Sequence, residues 1–259
     1  VTQNQATINP ATATIVANKV YDGTTNLTSS QVTITGVTVN GQTENLSYTG
    51  NASLNDANVA NSSNYLMTNS ITLANGSSAN AGVASNYVLP SNAYDAVSNS
   101  ASIGKVTVTL SAAKTYDGTT TLSGSQVTIG GLVGTQTLTY TGATANDAHV
   151  GTASKYINAI TLADGTNGGV ASNYQLPTLD NSHAAVTINA ATVTPTITNT
   201  SVTKQYDGNT SSSITPTYSY SGLISGDTIT LNNTGIAYND PNVLVANKVT
   251  VSGLSISAV

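Results

Sequence analysis

One short pattern occurs three times in this chain and constrains everything else: KVYDGTT at Lys19 to Thr25, KTYDGTT at Lys114 to Thr120 and KQYDGNT at Lys204 to Thr210. The tyrosines are 95 and 90 residues apart, and other landmarks recur between them in fixed order. QVTITGV (31–37) matches QVTIGGL (126–132), and LSYTGNASLNDANV (46–59) matches LTYTGATANDAHV (138–150) and ITLNNTGIAYNDPNV (229–243). SITLANG (70–76) matches AITLADG (159–165), and GVASNYVLP (82–90) matches GVASNYQLP (169–177). Self-similarity at a fixed period is the mark of a repeat architecture, so the chain reads as copies of one unit.

Three related segments, ATINPATATI (6–15), ASIGKVTVTL (101–110) and AVTINAATVTP (185–195), read as the last strand of one unit running into the first strand of the next. The expected division is a tail or linker strand over 1–10, copy 1 over 11–104, copy 2 over 105–189, and copy 3 over 190–259. Copy 3 carries an insertion before Lys204 and reaches no SNYxLP segment, so it is expected to lack one or two strands at its C-terminal end. With no signal-peptide pattern at Val1, the sequence reads as a piece of something longer. Linkers this short restrict bending between units and predict an elongated, semi-rigid rod.

Period-two alternation sets the element type. Val106, Val108 and Leu110 alternate with Thr107, Thr109 and Ser111, and Leu138 and Tyr140 alternate with Thr137 and Thr139. About six short strands per unit, separated by Gly, Asn and Asp clusters, predict an all-β chain of tandem small antiparallel β-sandwich (Ig-like) modules. The alternative is a β-grasp-like module with one short helix. Composition agrees: 39% hydrophobic and only 7% charged is too apolar and too uncharged for a disordered chain. Units of this size bury only about 60–65% of their unfolded surface, which gives neighbours a reason to dock.

Charge and chemistry exclude several functions. A net charge of −5 with six scattered lysines has no basic stripe for nucleic acid, and no apolar run is long enough to insert in a membrane. Neither His149 nor His183 recurs between copies, so no triad or zinc site can be assembled reproducibly, and the chain is not expected to be an enzyme. No D-x-D-x-D-G loop is present, so no cofactor is expected and calcium is only a weak competitor. Asn-x-Ser/Thr sequons at Asn26, Asn45, Asn51, Asn61, Asn75, Asn199 and Asn209 permit glycosylation without indicating it.

What remains is the motif itself. Asp22-Gly23, Asp117-Gly118 and Asp207-Gly208 are turn signals, because Asp bonds the backbone ahead of it and Gly accepts positive φ. Tyr21, Tyr116 and Tyr206 read as core residues. The lysines are harder to place, since Lys19 shares strand parity with Ile15, Ala17 and Tyr21, and Lys114 with Val108, Leu110 and Tyr116. Either a bulge turns them out, or they lie along the inner face and reach for the rim. The recurring Asn-Asp pairs supply an acid in every copy, so Lys19, Lys114 and Lys204 are expected to contact Asp56, Asp147 and Asp240. A Lys–Asn isopeptide crosslink is the bolder possibility, with the residue types present in every copy.

KTYDGTT, LTYTG, NDAHVGTASKYINAITL and GVASNYQLP, in that order, resemble the YDG-type repeat of very large exported Gram-negative proteins of the filamentous-haemagglutinin-like (two-partner secretion) adhesin class. The resemblance covers nearly the whole chain as two full copies and a partial third. It implies a secreted or surface-attached repeat region that supports cell attachment or biofilm formation and is exported through an outer-membrane secretion partner. Its nearest partners would be neighbouring repeats of the same chain. It favours a stalk that extends another domain outward; the alternative is a module binding host or matrix glycans or proteins through exposed Tyr, Asn and Thr or a sheet edge.

Overall fold

Polar residues on alternate positions, separated by small or branched apolar ones, give this chain strands with one inner face. The computed structural model describes residues 3–257. In copy 1, Ala11–Thr12 (β1) precedes Thr14–Val20 (β2), in which Ile15, Ala17 and Lys19 are buried while Val16, Asn18 and Val20 face solvent. Val32–Val39 (β3), Gln42–Gly50 (β4), Ile71–Asn75 (β5), Tyr87–Val88 (β6) and Asn99–Gly104 (β7) follow. Five of these form one sheet in the order β5-β4-β3-β2-β7, while β1 pairs with β6. The β3–β4 hairpin closes on Asn40-Gly41, both at positive φ (50° and 77°), as a two-residue hairpin turn that follows the strand twist requires.

Copy 2 repeats the plan with Val106–Thr107 (β8), Thr109–Thr115 (β9), Val127–Gly130 (β10), Leu138–Ala145 (β11), Ile157–Asp164 (β12), Tyr174–Gln175 (β13) and Val186–Asn189 (β14). Strand β9 lies between β10 and β14, β8 pairs with β13, and β11 with β12. One difference stands out. Strands β10 and β11 are not hydrogen-bonded to each other, although their counterparts β3 and β4 are. The connection, residues 131–137, has Gly131 and Gly134 at positive φ but no two-residue Asn-Gly turn to zip the strands together.

The all-β class of tandem small modules holds, but the pairing within it is mixed. In each complete copy the lysine-bearing strand runs parallel to the copy's last strand, with Lys19 opposite Ile103 and Lys114 opposite Ile188. Parallel neighbours need a long crossover, and here the body of the copy supplies it. The helical alternative is reduced to three-residue 3-10 turns, such as Ser29–Gln31 and Gly124–Gln126, which are the longest helical segments among the described residues. Lys105 alone separates β7 from β8.

Copy 3 consists of Thr194–Ile197 (β15), Tyr218–Ser221 (β16), Thr230–Asn232 (β17), Gly235–Tyr238 (β18), Val249–Ser252 (β19) and Ser255–Ser257 (β20). They form three antiparallel pairs, β15–β16, β17–β20 and β18–β19. No described residue of copy 3 is fully buried. Lys204 lies outside any strand, with no parallel partner of the β7 or β14 kind beside it among the described residues.

Two apolar cores result. One is built from Ala13, Ile15, Ile34, Leu46, Leu66, Ile71 and Tyr87 of copy 1. The other centres on copy 2, with Val108, Leu110, Ile157, Ile160 and Tyr174, but also takes in Ala17, Tyr21, Leu54 and Ile103 from copy 1. The second core therefore crosses the module boundary.

Candidate functional site

Each KxYDG segment folds into one small closed loop around its lysine. The Lys19 side chain is 1% exposed and its Nζ donates to the carbonyls of Thr24 (2.9 Å) and Asn26 (2.8 Å) while pairing with Asp22 Oδ1 at 2.7 Å. Lys114, fully buried, donates to the carbonyls of Thr119 (3.1 Å) and Thr121 (2.9 Å) and pairs with Asp117 Oδ1 at 2.6 Å. Lys204 repeats the set with Asn209 O (2.7 Å), Ser211 O (3.1 Å) and Asp207 Oδ1 (2.7 Å). An ammonium has three protons to donate, and each loop presents at least three acceptors, which is what a buried cation requires. The aspartate works in both directions: Asp22 Oδ1 also accepts from Thr24 N (2.9 Å) and Thr24 Oγ1 (3.0 Å), and Asp117 Oδ1 does the same with Thr119. Gly23, Gly118 and Gly208 all sit at φ 78°.

These contacts correct the expected lysine partner. Asp56, Asp147 and Asp240 do not receive the lysines; the aspartate three residues along the same loop is nearer and closes a far shorter ring. Nor does a bulge turn the lysine out, since the pairing of β2 with β7 and of β9 with β14 runs in unbroken register through Lys19 and Lys114. The side chain stays on the inner face and ties the loop down from beneath, rather than reaching for the rim. The amines of Lys19 and Lys114 meet main-chain carbonyls, a Thr hydroxyl and a carboxylate, not an Asn side chain; only Lys204 touches one, Asn209 Oδ1 at 3.0 Å.

The electrostatics follow the geometry. The hydrogen bond from Lys114 holds the Asp117 carboxyl below the usual range against the opposing pull of burial. For Asp22, burial pushes upward, but the bonds from Lys19 and Thr24 outweigh it and leave the carboxyl low. Asp207 is lowered by Lys204 and the Asn209 backbone.

The tyrosine of the motif faces the next copy. Tyr21 is buried, its hydroxyl accepts from Gln136 Nε2 of copy 2 (2.8 Å), and its ring meets that of Tyr174 edge-on. Gln136 in turn accepts from the Tyr174 hydroxyl (2.5 Å), which itself accepts from Val133 N (3.0 Å). A Cβ added at Gly23 would stand 3.3 Å from Val133 Cγ1, so the turn is pressed against copy 2. At the second joint Tyr116 donates to Asp227 Oδ1 of copy 3 (3.2 Å), and a Cβ at Gly118 would stand 3.1 Å from Ile224 Cγ2. Burial, reinforced by Asp227, raises the Tyr116 phenol. Tyr206 is 62% exposed.

The Asn-Asp pairs belong to the same joint. Asp56 Oδ1 accepts from Asn58 N (2.8 Å) and Nδ2 (2.9 Å), which presents Asn58 Oδ1 to Asn173 Nδ2 of copy 2 at 2.9 Å. Asn173 is completely buried and its Oδ1 accepts from Val59 N (2.8 Å). Asp147 holds His149 in the equivalent way, and Asp240 holds Asn242. Four landmarks of the repeat thus converge on one interface: YDG and NDxxV from one copy, and the SNY segment and the residue two before the LxYTG strand from the next. Asn173 lies inside the recurring SNY segment and Gln136 stands two residues before LTY, but neither residue carries a sequence signal of its own as a contact.

Two other features were candidates for chemistry. Among the described residues no group of three His, Cys, Asp or Glu side chains lies close enough to hold a metal ion. Between β10 and β11 an open groove of about 970 Å³ is lined by Leu122, Val127, Ile129, Leu132, Leu138 and Tyr140; β10 and the Leu138–Thr141 half of β11 face it without ladder partners, while Ala143 and Ala145 are bonded to residues 120–122.

The family model described as YDG domain matches residues 2–94, 101–182 and 189–258. No curated protein and no solved structure matches the chain.

Proposed function

The chain belongs to the YDG domain family across nearly its whole length, as three tandem repeats, and from that premise we propose that it is a stalk: a non-catalytic repeat region of a large secreted or surface-attached bacterial adhesin. In this reading it stands on the outside of a Gram-negative cell, having crossed the outer membrane through a secretion partner, and holds another domain away from the surface to support attachment or biofilm formation. The observation that carries the proposal is the joint between copies 1 and 2. The residues that define the repeat are spent on contacts with the neighbouring repeat, and burial of Tyr21 and Asn173 there fixes one module against the next. A single residue between β7 and β8 leaves no slack for the modules to swing independently. Each repeat adds on the order of 30 Å if its strands run along the rod at about 3.3 Å per residue.

A second reading rests on the groove of copy 2. The edge of β10 and the facing Leu138–Thr141 half of β11, both without ladder partners over an apolar floor, suit an extended peptide adding as a strand, or a glycan stacking on Tyr140. Replacing copy 2 in the parent protein by an unrelated rigid module of equal length separates the two readings. A stalk tolerates the exchange with attachment unchanged; loss of attachment at constant length means that copy 2 binds the receptor itself.

A further inference from the structure

The backbone passes through each complete copy on one matched pair of strands. In copy 1 these are β2 and β7, which run parallel in unbroken register from Ile15 opposite Asn99 to Val20 opposite Gly104. Bonds from Ile15 N to Ser98 O (2.8 Å) and from Tyr21 N to Gly104 O (2.9 Å) close the two ends of that ladder. In copy 2 the pair is β9 and β14, from Ala112 opposite Val186 to Thr115 opposite Asn189. Its ends are closed by Ala112 N to Ala185 O (2.9 Å) and Tyr116 N to Asn189 O (2.8 Å). Both β7 and β14 lie at the edge of their sheets, so β2 and β9 are their only ladder partners.

Parallel order fixes how such a pair meets tension. Parallel strands begin at one end of the sheet and finish at the other, so tension that arrives at the start of β2 and leaves at the end of β7 slides the strands past each other along their own axes. All the ladder bonds then resist together, whereas tension applied to the same end of both strands opens them one after another. Lys105 alone carries the load from β7 to β8. The pairs β1–β6 and β8–β13 that precede the ladders are also parallel but only two residues long, so they give way first. The rest of each copy, including the groove between β10 and β11, hangs beside the line of load. The recurring motif finishes the ladder: Tyr21 and Tyr116 donate its last bond, and the buried amines of Lys19 and Lys114 tie the following turn back to the strand, which keeps that end from fraying.

We propose that the β2–β7 and β9–β14 ladders are mechanical clamps, and that the chain is a load-bearing element which holds against tension along its length. Forced unfolding is governed by the barrier out of the native state and not by its equilibrium stability. A module with a modest core therefore resists pulling when the load meets a ladder in shear. Copy 1 is the stronger clamp, because its ladder reaches from Ile15 to Tyr21 and that of copy 2 only from Ala112 to Tyr116. Under rising load copy 2 yields first and lets out chain while copy 1 still holds. Load bearing goes beyond the stalk reading and rests on the strand pairing alone, so its test needs neither a surface nor a receptor.

The chain has no cysteine, so pairs of introduced thiols can carry DNA handles for optical tweezers at chosen points of the full chain. Ile8→Cys with Lys105→Cys loads copy 1 along its ladder, and Asn26→Cys with Lys105→Cys loads the same ladder from one end. Lys105→Cys with Thr192→Cys and Thr121→Cys with Thr192→Cys do the same for copy 2. All five positions are exposed, and none lies in either ladder. In each copy the first geometry should need at least twice the unfolding force of the second, and copy 1 should outlast copy 2 when both are pulled along the ladder. A ratio below two within either copy overturns the clamp, and a copy 2 that matches or exceeds copy 1 along the ladder overturns the assignment of strength to ladder length.

Discussion

Tyr21 of copy 1 lies edge-on to Tyr174 of copy 2, with ring centroids 5.7 Å apart and an interplanar angle of 76°. That geometry sets the positive rim of one ring against the negative face of the other, and a pair of this kind is worth about 0.5–1.5 kcal/mol beyond the area it buries. The Gln136 bond to the Tyr21 hydroxyl adds direction to the contact. Tyr21→Phe should therefore cost only about 1 kcal/mol, whereas Tyr21→Ala should cost about 3–5 kcal/mol. Hydrogen exchange at the Val133 amide, which is bonded to the Tyr174 hydroxyl, reports the joint: it should speed up strongly in the alanine variant and little in the phenylalanine one.

The lysine clips differ in burial, and so should their worth. Lys114→Met strands the carbonyls of Thr119 and Thr121 and the Asp117 carboxylate, a loss of about 1–3 kcal/mol. The Lys204 side chain is 24% exposed, so water can replace it, and Lys204→Met should cost under about 1 kcal/mol. Urea unfolding followed by tyrosine fluorescence compares them, and equal losses would count against the clip as described.

Gly23, Gly118 and Gly208 share one backbone conformation but not one environment. A Cβ at Gly208 meets open space, so Gly208→Ala should show the left-handed penalty alone, about 1–2 kcal/mol. Gly118→Ala should cost more, because Ile224 stands in the way and has to shift. The excess should appear as faster exchange in copy 3, not in copy 2.

Acid should loosen the clips. Because the folded-state values of Asp22, Asp117 and Asp207 lie below the unfolded value of about 3.9, their stabilisation is fully present above that value and is lost as pH falls through the lowered folded values. Thermal stability should hold between about pH 7 and pH 5 and drop below about pH 4. The triple substitution D22N/D117N/D207N should flatten that drop without abolishing it, since Asp95, Asp147 and Asp180 are also lowered by their own turns.

The strands and the repeat were legible because period-two alternation and spacing are local signals. The Asp-Gly turns were legible for the same reason, down to the positive φ of Gly23. What the sequence hid was pairing. The recurring Asn-Asp pair points Lys19 toward Asp56, but Asp22 lies inside the same loop and wins by proximity. Tyr21 read as a core residue and is one, though half of its core belongs to the next copy. The parallel pairing of β2 with β7 depends on contacts more than 80 residues apart, which alternation cannot specify. The gap between β10 and β11 goes with a local difference: copy 1 turns on Asn40-Gly41, whereas copy 2 has three residues fewer between its QVTI and LTYTG segments and turns at Val133 to Gln136.

The YDG motif is a joint between neighbouring copies. Val16 and Ser111 are exposed, equivalent positions one repeat apart, each three residues before its buried lysine. Spin labels on Val16→Cys and Ser111→Cys in this cysteine-free chain measure the distance between copies 1 and 2 by pulsed electron resonance. A rigid joint gives one narrow distance distribution that broadens when Tyr21→Ala is added; a distribution already broad before that substitution, or one unchanged by it, would contradict the account.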